Sequence, residues 1–289
     1  MTFWEAVLLG IVQGIFMFFP VSSTSHLVLL EHWLIQRGSE LPSPDSPEMI
    51  LFVLVVHMGT LVSMAVVFRR SIAAYLRRLS RAIRMDPLRW GPREGMAVRL
   101  LAMGAVSVAI TGLVGFPLRA YVESVFAHPW AISGTLIVTG ALLWWTDVLR
   151  PRRLGLRHLG LQVAVVVGLA QSLALLPGIS RSGATIAFAL FVGLRRRWAA
   201  EYSFFIAFPT IIGASMLQGL EVWGGEGAGG VGAMPLLVGF VVAALVGIGA
   251  LHIVLRLLYK ARFRFFSYYV WALALVVLAL SSRGEGLPF

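Results

Sequence analysis

Leu175-Leu-Pro-Gly-Ile-Ser-Arg-Ser-Gly-Ala-Thr-Ile186 is the stretch on which the fold of this chain turns. It separates two apolar runs, 159–176 and 186–194, each too short to cross a bilayer, since a spanning helix needs about 20 apolar residues. Pro177 and Gly178 stop a helix, and Gly183 loosens the backbone again. Non-helical backbone at membrane depth persists only where protein buries it or where it lines a watery cavity. Arg181 in such a place needs a partner, and the natural partner of a lone guanidinium is an anion. The plainer reading sets Arg181 in a short surface loop. The apolar runs on both sides favour the intramembrane reading, in which an ionisable group is functional by default.

Composition points the same way. Of 289 residues 58% are hydrophobic and 13% charged, which is the balance of an integral membrane protein. The net charge of +11 would suit nucleic acid, but the basic residues fall in short blocks beside apolar runs, a membrane-topology pattern, so no nucleic-acid partner is expected. There is no cysteine, which removes disulfides, thiolate nucleophiles and thiolate metal sites. Met1-Thr-Phe-Trp-Glu-Ala-Val7 lacks a basic n-region and reads as mature structure, not as a signal peptide. A single membrane domain over 1–289 is expected.

Outward from the central stretch, the N-terminal end has the same shape. An apolar run at 3–19 stops at Pro20, Val21-Ser-Ser-Thr-Ser-His26 follows, and a second short apolar run occupies 27–35. Gly10-Ile-Val-Gln13 is echoed by Gly168-Leu-Ala-Gln171, and prolines follow at 20 and 177. Apolar runs able to span lie at 49–68, 100–118, 130–148, 202–220, 234–255 and, slightly short, 265–280. Each half, 1–150 and 151–289, therefore holds one broken pair and three spans. A re-entrant pair enters and leaves on one side, so three spans turn the second half over. The expected fold is an all-α integral membrane protein with six full transmembrane helices, two re-entrant helix pairs and an inverted-topology repeat, with a site near the midplane. Basic residues mark 69–99, 149–158, 195–197 and 256–264, which this topology puts on one side; 36–47 and 220–233, on the other, carry more acidic than basic residues. The basic loops are expected to be cytoplasmic.

The two breaks would bring together Ser22, Ser23, Thr24, Ser25, His26, Ser180, Arg181, Ser182 and Thr185. Hydroxyls and helix N-termini donate to anions, and a guanidinium presents a fork suited to phosphate. His26 is a candidate acid or base, and Ser23, three residues before it, shares its face if a helix starts there. Serine beside histidine is also the minimal activated-nucleophile pair. The plainest reading is that the hydroxyls only cap two half-helices.

Gln13-Gly14 with Pro20-Val-Ser-Ser-Thr-Ser-His26, and Pro177-Gly-Ile-Ser-Arg-Ser-Gly-Ala-Thr185, resemble the two signatures of the bacterial undecaprenyl pyrophosphate phosphatase, or bacitracin-resistance, family. His57-Met-Gly-Thr60, 168–175 and 200–209 are similar to it as well, so the resemblance covers essentially the whole chain. It implies removal of one phosphate from undecaprenyl diphosphate, which recycles the lipid carrier for peptidoglycan synthesis. The implied place is the bacterial inner membrane, with the site open to the periplasm. On matching positions it makes Ser23 the nucleophile, His26 its proton partner and Arg181 the diphosphate clamp. Gln13, Ser22, Thr24, Gly178, Ser180, Ser182 and Thr185 become substrate-binding residues. It also implies a divalent cation, magnesium or calcium, with unassigned ligands. The oligomeric state is not set by the sequence, and a homodimer stays open.

Two positions depart from the family pattern. Met17 stands where members carry glutamate, and Val53 where they often carry an acid. A second reading follows from Met17: a non-hydrolytic homologue that binds or translocates polyprenyl phosphates.

Overall fold

A computed structural model describes residues 1–44, 46–126, 129–148, 152–224, 231–259 and 263–282, without the side chains of 119–126, 129, 221–224 and 280–282. Asp45, Arg150, Glu226, Lys260 and Arg262, which entered the loop-charge reading, lie outside the described residues. Among the described residues the fold is helical, and the one β pairing is an isolated bridge between Leu154 and Leu194. The helices are α1 (Phe3–Phe16), α2 (Ser23–Gln36), α3 (Pro47–Val67), α4 (Arg69–Arg84), α5 (Pro92–Phe126), α6 (Pro129–Val148), α7 (Leu161–Leu173), α8 (Arg181–Phe191), α9 (Arg196–Gly224), α10 (Ala233–Tyr259) and α11 (Arg264–Ser282). Five of them, α3, α5, α6, α9 and α10, are long and apolar enough to cross a membrane. The chain is thus an all-α, multi-pass membrane protein. The apolar part of α11, Arg264–Ala279, is shorter.

Local sequence sets the helix starts. Thr2 and Glu5 form a reciprocal capping box on α1. Ser46 accepts the Met49 N–H at 3.2 Å, and Pro47 opens α3 at a position where its missing donor costs nothing. Both expected breaks are present. α1 and α2 are separated by 17–22, and α7 and α8 by 174–180.

Two stretches differ from the sequence reading. The basic segment 69–99, read as a loop, is mostly helical: α4, a 3-10 turn at Pro87–Arg89, and the start of α5. Ile72, Tyr75, Leu79 and Ala82 recur at helical spacing on the covered side of α4, while Arg70, Arg77, Arg78 and Arg81 are exposed. Tyr75 meets Phe205 of α9 edge-on at 5.4 Å. α5 also runs past Pro117 to Phe126 instead of stopping near 118. A proline is tolerated in a membrane helix because neighbours and local adjustment satisfy the freed carbonyl.

Small residues set which helices meet. α1 packs on α10, and α10 on α3. A Cβ on Gly10 would stand 3.0 Å from the Gly239 carbonyl oxygen, and one on Gly14 3.0 Å from that of Ala243. In the other half α7 packs on α5, with the Gly168 Cβ position 2.8 Å from the Ser107 carbonyl oxygen. Hydroxyls join the same interfaces: Ser63 donates to the Ala244 carbonyl and Ser107 to that of Ala164, both at 2.7 Å. Lipid offers no hydrophobic drive between helices, so close backbone approach and such bonds hold them.

Candidate functional site

The second break is held open by α6. The carbonyl of Pro177 accepts the Thr135 hydroxyl, and that of Gly178 accepts Thr139 at 2.8 Å. Thr139 Oγ1 in turn accepts the Ser180 N–H at 3.2 Å. Two threonines one turn apart on α6 thereby satisfy backbone groups that the broken helix leaves without partners. Gly178 takes a φ of +85°, which glycine alone adopts at no cost. Ser180 then caps α8 by accepting the Gly183 N–H at 3.2 Å, and Arg181 opens the helix.

Arg181 carries the strongest chemical signal in the chain. Its Nη1 and Nη2 are buried and have no hydrogen-bond partner in the protein. Buried polar groups are almost always bonded, and a buried charge without a pair is costlier still, so this guanidinium is built for something else. Around it, Thr185 Oγ1 bonds the Arg181 carbonyl at 2.8 Å and lies 2.5 Å from Ser203 Oγ of α9. The Ser180 and Ser182 hydroxyls lie 3.4 Å apart, both buried. His57 of α3, whose Nδ1–H donates to the Val53 carbonyl at 2.7 Å, lies within electrostatic reach of Arg181.

At the first break Ser22 adopts φ +66°, a conformation costing a non-glycine residue on the order of 1–3 kcal/mol and found mostly where function holds it. Its carbonyl accepts His26 Nδ1–H at 2.7 Å, and its hydroxyl lies 3.1 Å from that of Ser25. A carbonyl only accepts, so Nδ1 carries the proton. In the neutral ring Nε2 then accepts the Tyr269 hydroxyl of α11 at 2.7 Å. Phe16 stacks on the His26 ring at 3.8 Å and 17°. No bond joins Ser23 to His26 in this arrangement. Ser23 Oγ instead lies 4.0 Å from the sulfur of Met17. Tyr269→Phe should cost about 0.5–1.5 kcal/mol of stability. A fall in the thermal midpoint of the detergent-solubilised chain checks it, and an unshifted midpoint would detach Tyr269 from the site.

The remaining expected residues divide. Gln13 is fully buried, and neither its Oε1 nor its Nε2 has a partner. Thr24 is exposed, outside the buried set. Met17 is buried in the apolar core that also takes Ile186 of α8. The breaks share α6 as a wall: Val21 packs in the cluster of Ile132 and Leu136, on the helix whose Thr135 and Thr139 hold 177–178. Sequence reasoning missed Thr135, Thr139, Ser203 and Tyr269. The two threonines at i, i+4 in an apolar helix were a readable signal; Tyr269, one aromatic among many, was not.

The resemblance implies a divalent cation, but the residues at the breaks do not fit one. A hard cation takes oxygen ligands, carboxylates above all. Residue 17 is methionine, 53 valine and 13 a neutral carboxamide. Among the described residues no three His, Cys, Asp or Glu side chains come together. The guanidinium of Arg181 would also repel a cation held beside it.

A family model described as "Bacitracin resistance protein BacA" matches residues 6–276. A Halorhodospira halophila protein named undecaprenyl-diphosphatase is 55% identical over 96% of this chain and 97% of its own. One of the same name from Alkalilimnicola ehrlichii is 57% identical over 95% of each chain. A third, from Carboxydothermus hydrogenoformans, is 35% identical over 99% of this chain and all of its own. With the two broken-helix signatures in place on the fold and matches running nearly end to end, the chain belongs to the bacitracin resistance protein BacA family.

Proposed function

We propose that the chain removes the terminal phosphate of undecaprenyl diphosphate, the compound in the names of its relatives, and so returns the carrier lipid as its monophosphate. The observation that carries this is the buried, unpartnered guanidinium of Arg181 at the start of α8. A diphosphate supplies the charge and the paired oxygens this fork lacks. Ser23 Oγ attacks the terminal phosphorus, the bridging P–O bond breaks, and the lipid monophosphate leaves. Water then cleaves the phosphoserine and releases inorganic phosphate. Arg181 and the N–H groups opening α8 hold the charge that develops on the transferring oxygens. The Ser23 proton passes to His26 once the ring exchanges its bond to Tyr269 for one to the serine. The names give no support to the non-hydrolytic reading.

The reading places the two broken pairs as re-entrant, counts α11 as a sixth span and relates the halves by inversion. What supports it is exchanged pairing: α1 packs on α10 as α7 packs on α5, each through the corresponding glycine, Gly10 or Gly168. The basic loops then face the cytoplasm and the site opens to the periplasm.

Met17 tests the chemistry. It lies one turn after Gln13, with its sulfur 4.0 Å from Ser23 Oγ. Met17→Glu should raise phosphate release and make it more sharply dependent on magnesium or calcium, with some loss of stability when no cation is present. Met17→Leu should change little, since it keeps shape and adds no ligand. Phosphate release by the purified native chain and both variants decides it. A native rate that Met17→Glu does not change would assign the role to other groups; no release by either would count against hydrolysis.

A further inference from the structure

The charge and donor set of the site differ from those of a cation-bridged diphosphate site, and the difference rests on particular residues. Gln13 is the clearest. Its carboxamide is fully buried with both polar atoms unpartnered. The corresponding glutamine of the second half, Gln171, gives its Nε2 to Thr111 and Thr210 at 3.1 and 2.9 Å. Gln171 is therefore tied into the packing of α7, whereas Gln13 is not tied to anything. A buried amide left without partners in one half, while its counterpart is bonded in the other, marks a place kept for a ligand. It stands one helical turn before Met17, the residue that caps α1 and whose sulfur lies 4.0 Å from Ser23 Oγ, which places Gln13 on the element leading into the first break.

The charge carried by the two breaks sets the sign of that ligand. Arg181 brings a fixed positive charge, and its Nη1 and Nη2 have no partner in the protein. Positions 17 and 53 carry no acid. A cation between protein and phosphate would meet a guanidinium and one neutral amide oxygen. A bare diphosphate would meet donors.

Resting on the phosphatase reading above, we infer that this chain binds the diphosphate group directly on Arg181 and Gln13 and requires no divalent cation for that binding. Gln13 serves as an N–H donor where a carboxylate would serve as a metal ligand.

The test is titration of the full chain in detergent with farnesyl methylene-diphosphonate, whose bridging carbon cannot be cleaved. Affinity in EDTA and in magnesium should agree within about threefold. Gln13→Leu should weaken binding roughly tenfold in both, the lower end for a bond to a charged group. Gln13→Glu should bind poorly in EDTA and recover with magnesium. Native binding that falls by about tenfold or more in EDTA and returns with magnesium would overturn the inference and leave the phosphatase reading standing. Gln13→Leu with native affinity would remove Gln13 from the site. No binding by the native chain in either buffer would overturn the substrate reading itself. The native-chain arms decide the cation question even if a variant does not fold.

Discussion

Arg181→Ala should weaken polyprenyl diphosphate binding by roughly 10- to 150-fold, the span of a charge-assisted bond worth about 1.5–3 kcal/mol. The expected loss is large because nothing in the protein shares the guanidinium: Nη1 and Nη2 are both buried and unpartnered. Stability should fall little or rise, since the substitution removes a buried charge that has no pair. Arg181→Lys should recover only part of the affinity, because an ammonium offers no planar fork. Titration with the non-cleavable diphosphonate, alongside thermal melts, separates the two effects. Native affinity in Arg181→Ala would take Arg181 out of the site; a collapse of the melt would make it structural.

Gly178→Ala should be the most damaging single methyl in the broken segments. A φ of +85° costs an alanine roughly 1–2 kcal/mol by itself. Its Cβ would also fall on Thr135 Oγ1 and stand 2.9 Å from the Ile132 carbonyl oxygen. Thr135 cannot move without releasing the Pro177 carbonyl. The expected total is about 3 kcal/mol or more, the range of strain plus overpacking. It should appear as a lowered thermal midpoint with lowered diphosphate affinity, because Ser180 and Arg181 follow directly on the turn. Gly38→Ala, also at positive φ (+87°) but with open space around it, is the control for backbone strain alone. Equal effects at the two positions would show that the contact with α6 contributes nothing.

How much of this was legible in the sequence depends on what each signal reports. The breaks could be read because Pro20, Pro177 and Gly178 act on their own backbone. The apolar runs gave α3, α6 and α10 to within about four residues, since bilayer thickness sets their length, whereas α9 starts at Arg196, inside the basic segment 195–197 read as a loop. α4 was missed because its charge density outweighed a helical repeat of Ile72, Tyr75, Leu79 and Ala82 that was present all along. At the site, Arg181 stood out as an ionisable group between apolar runs. That Gln13 has no partner while Gln171 has two is a tertiary fact, beyond any local pattern. The pairing of His26 with Tyr269 joins residues 243 apart in the chain, so the expected Ser23–His26 pair was the only local candidate.

The most direct test of the central claim is the fate of undecaprenyl diphosphate given to the purified full chain in water enriched in oxygen-18. The account predicts lipid monophosphate and inorganic phosphate in equal amounts, with the label in the inorganic phosphate and none in the lipid product, because Ser23 and then water act at the terminal phosphorus. Diphosphate recovered intact, or label found in the lipid monophosphate, would contradict it.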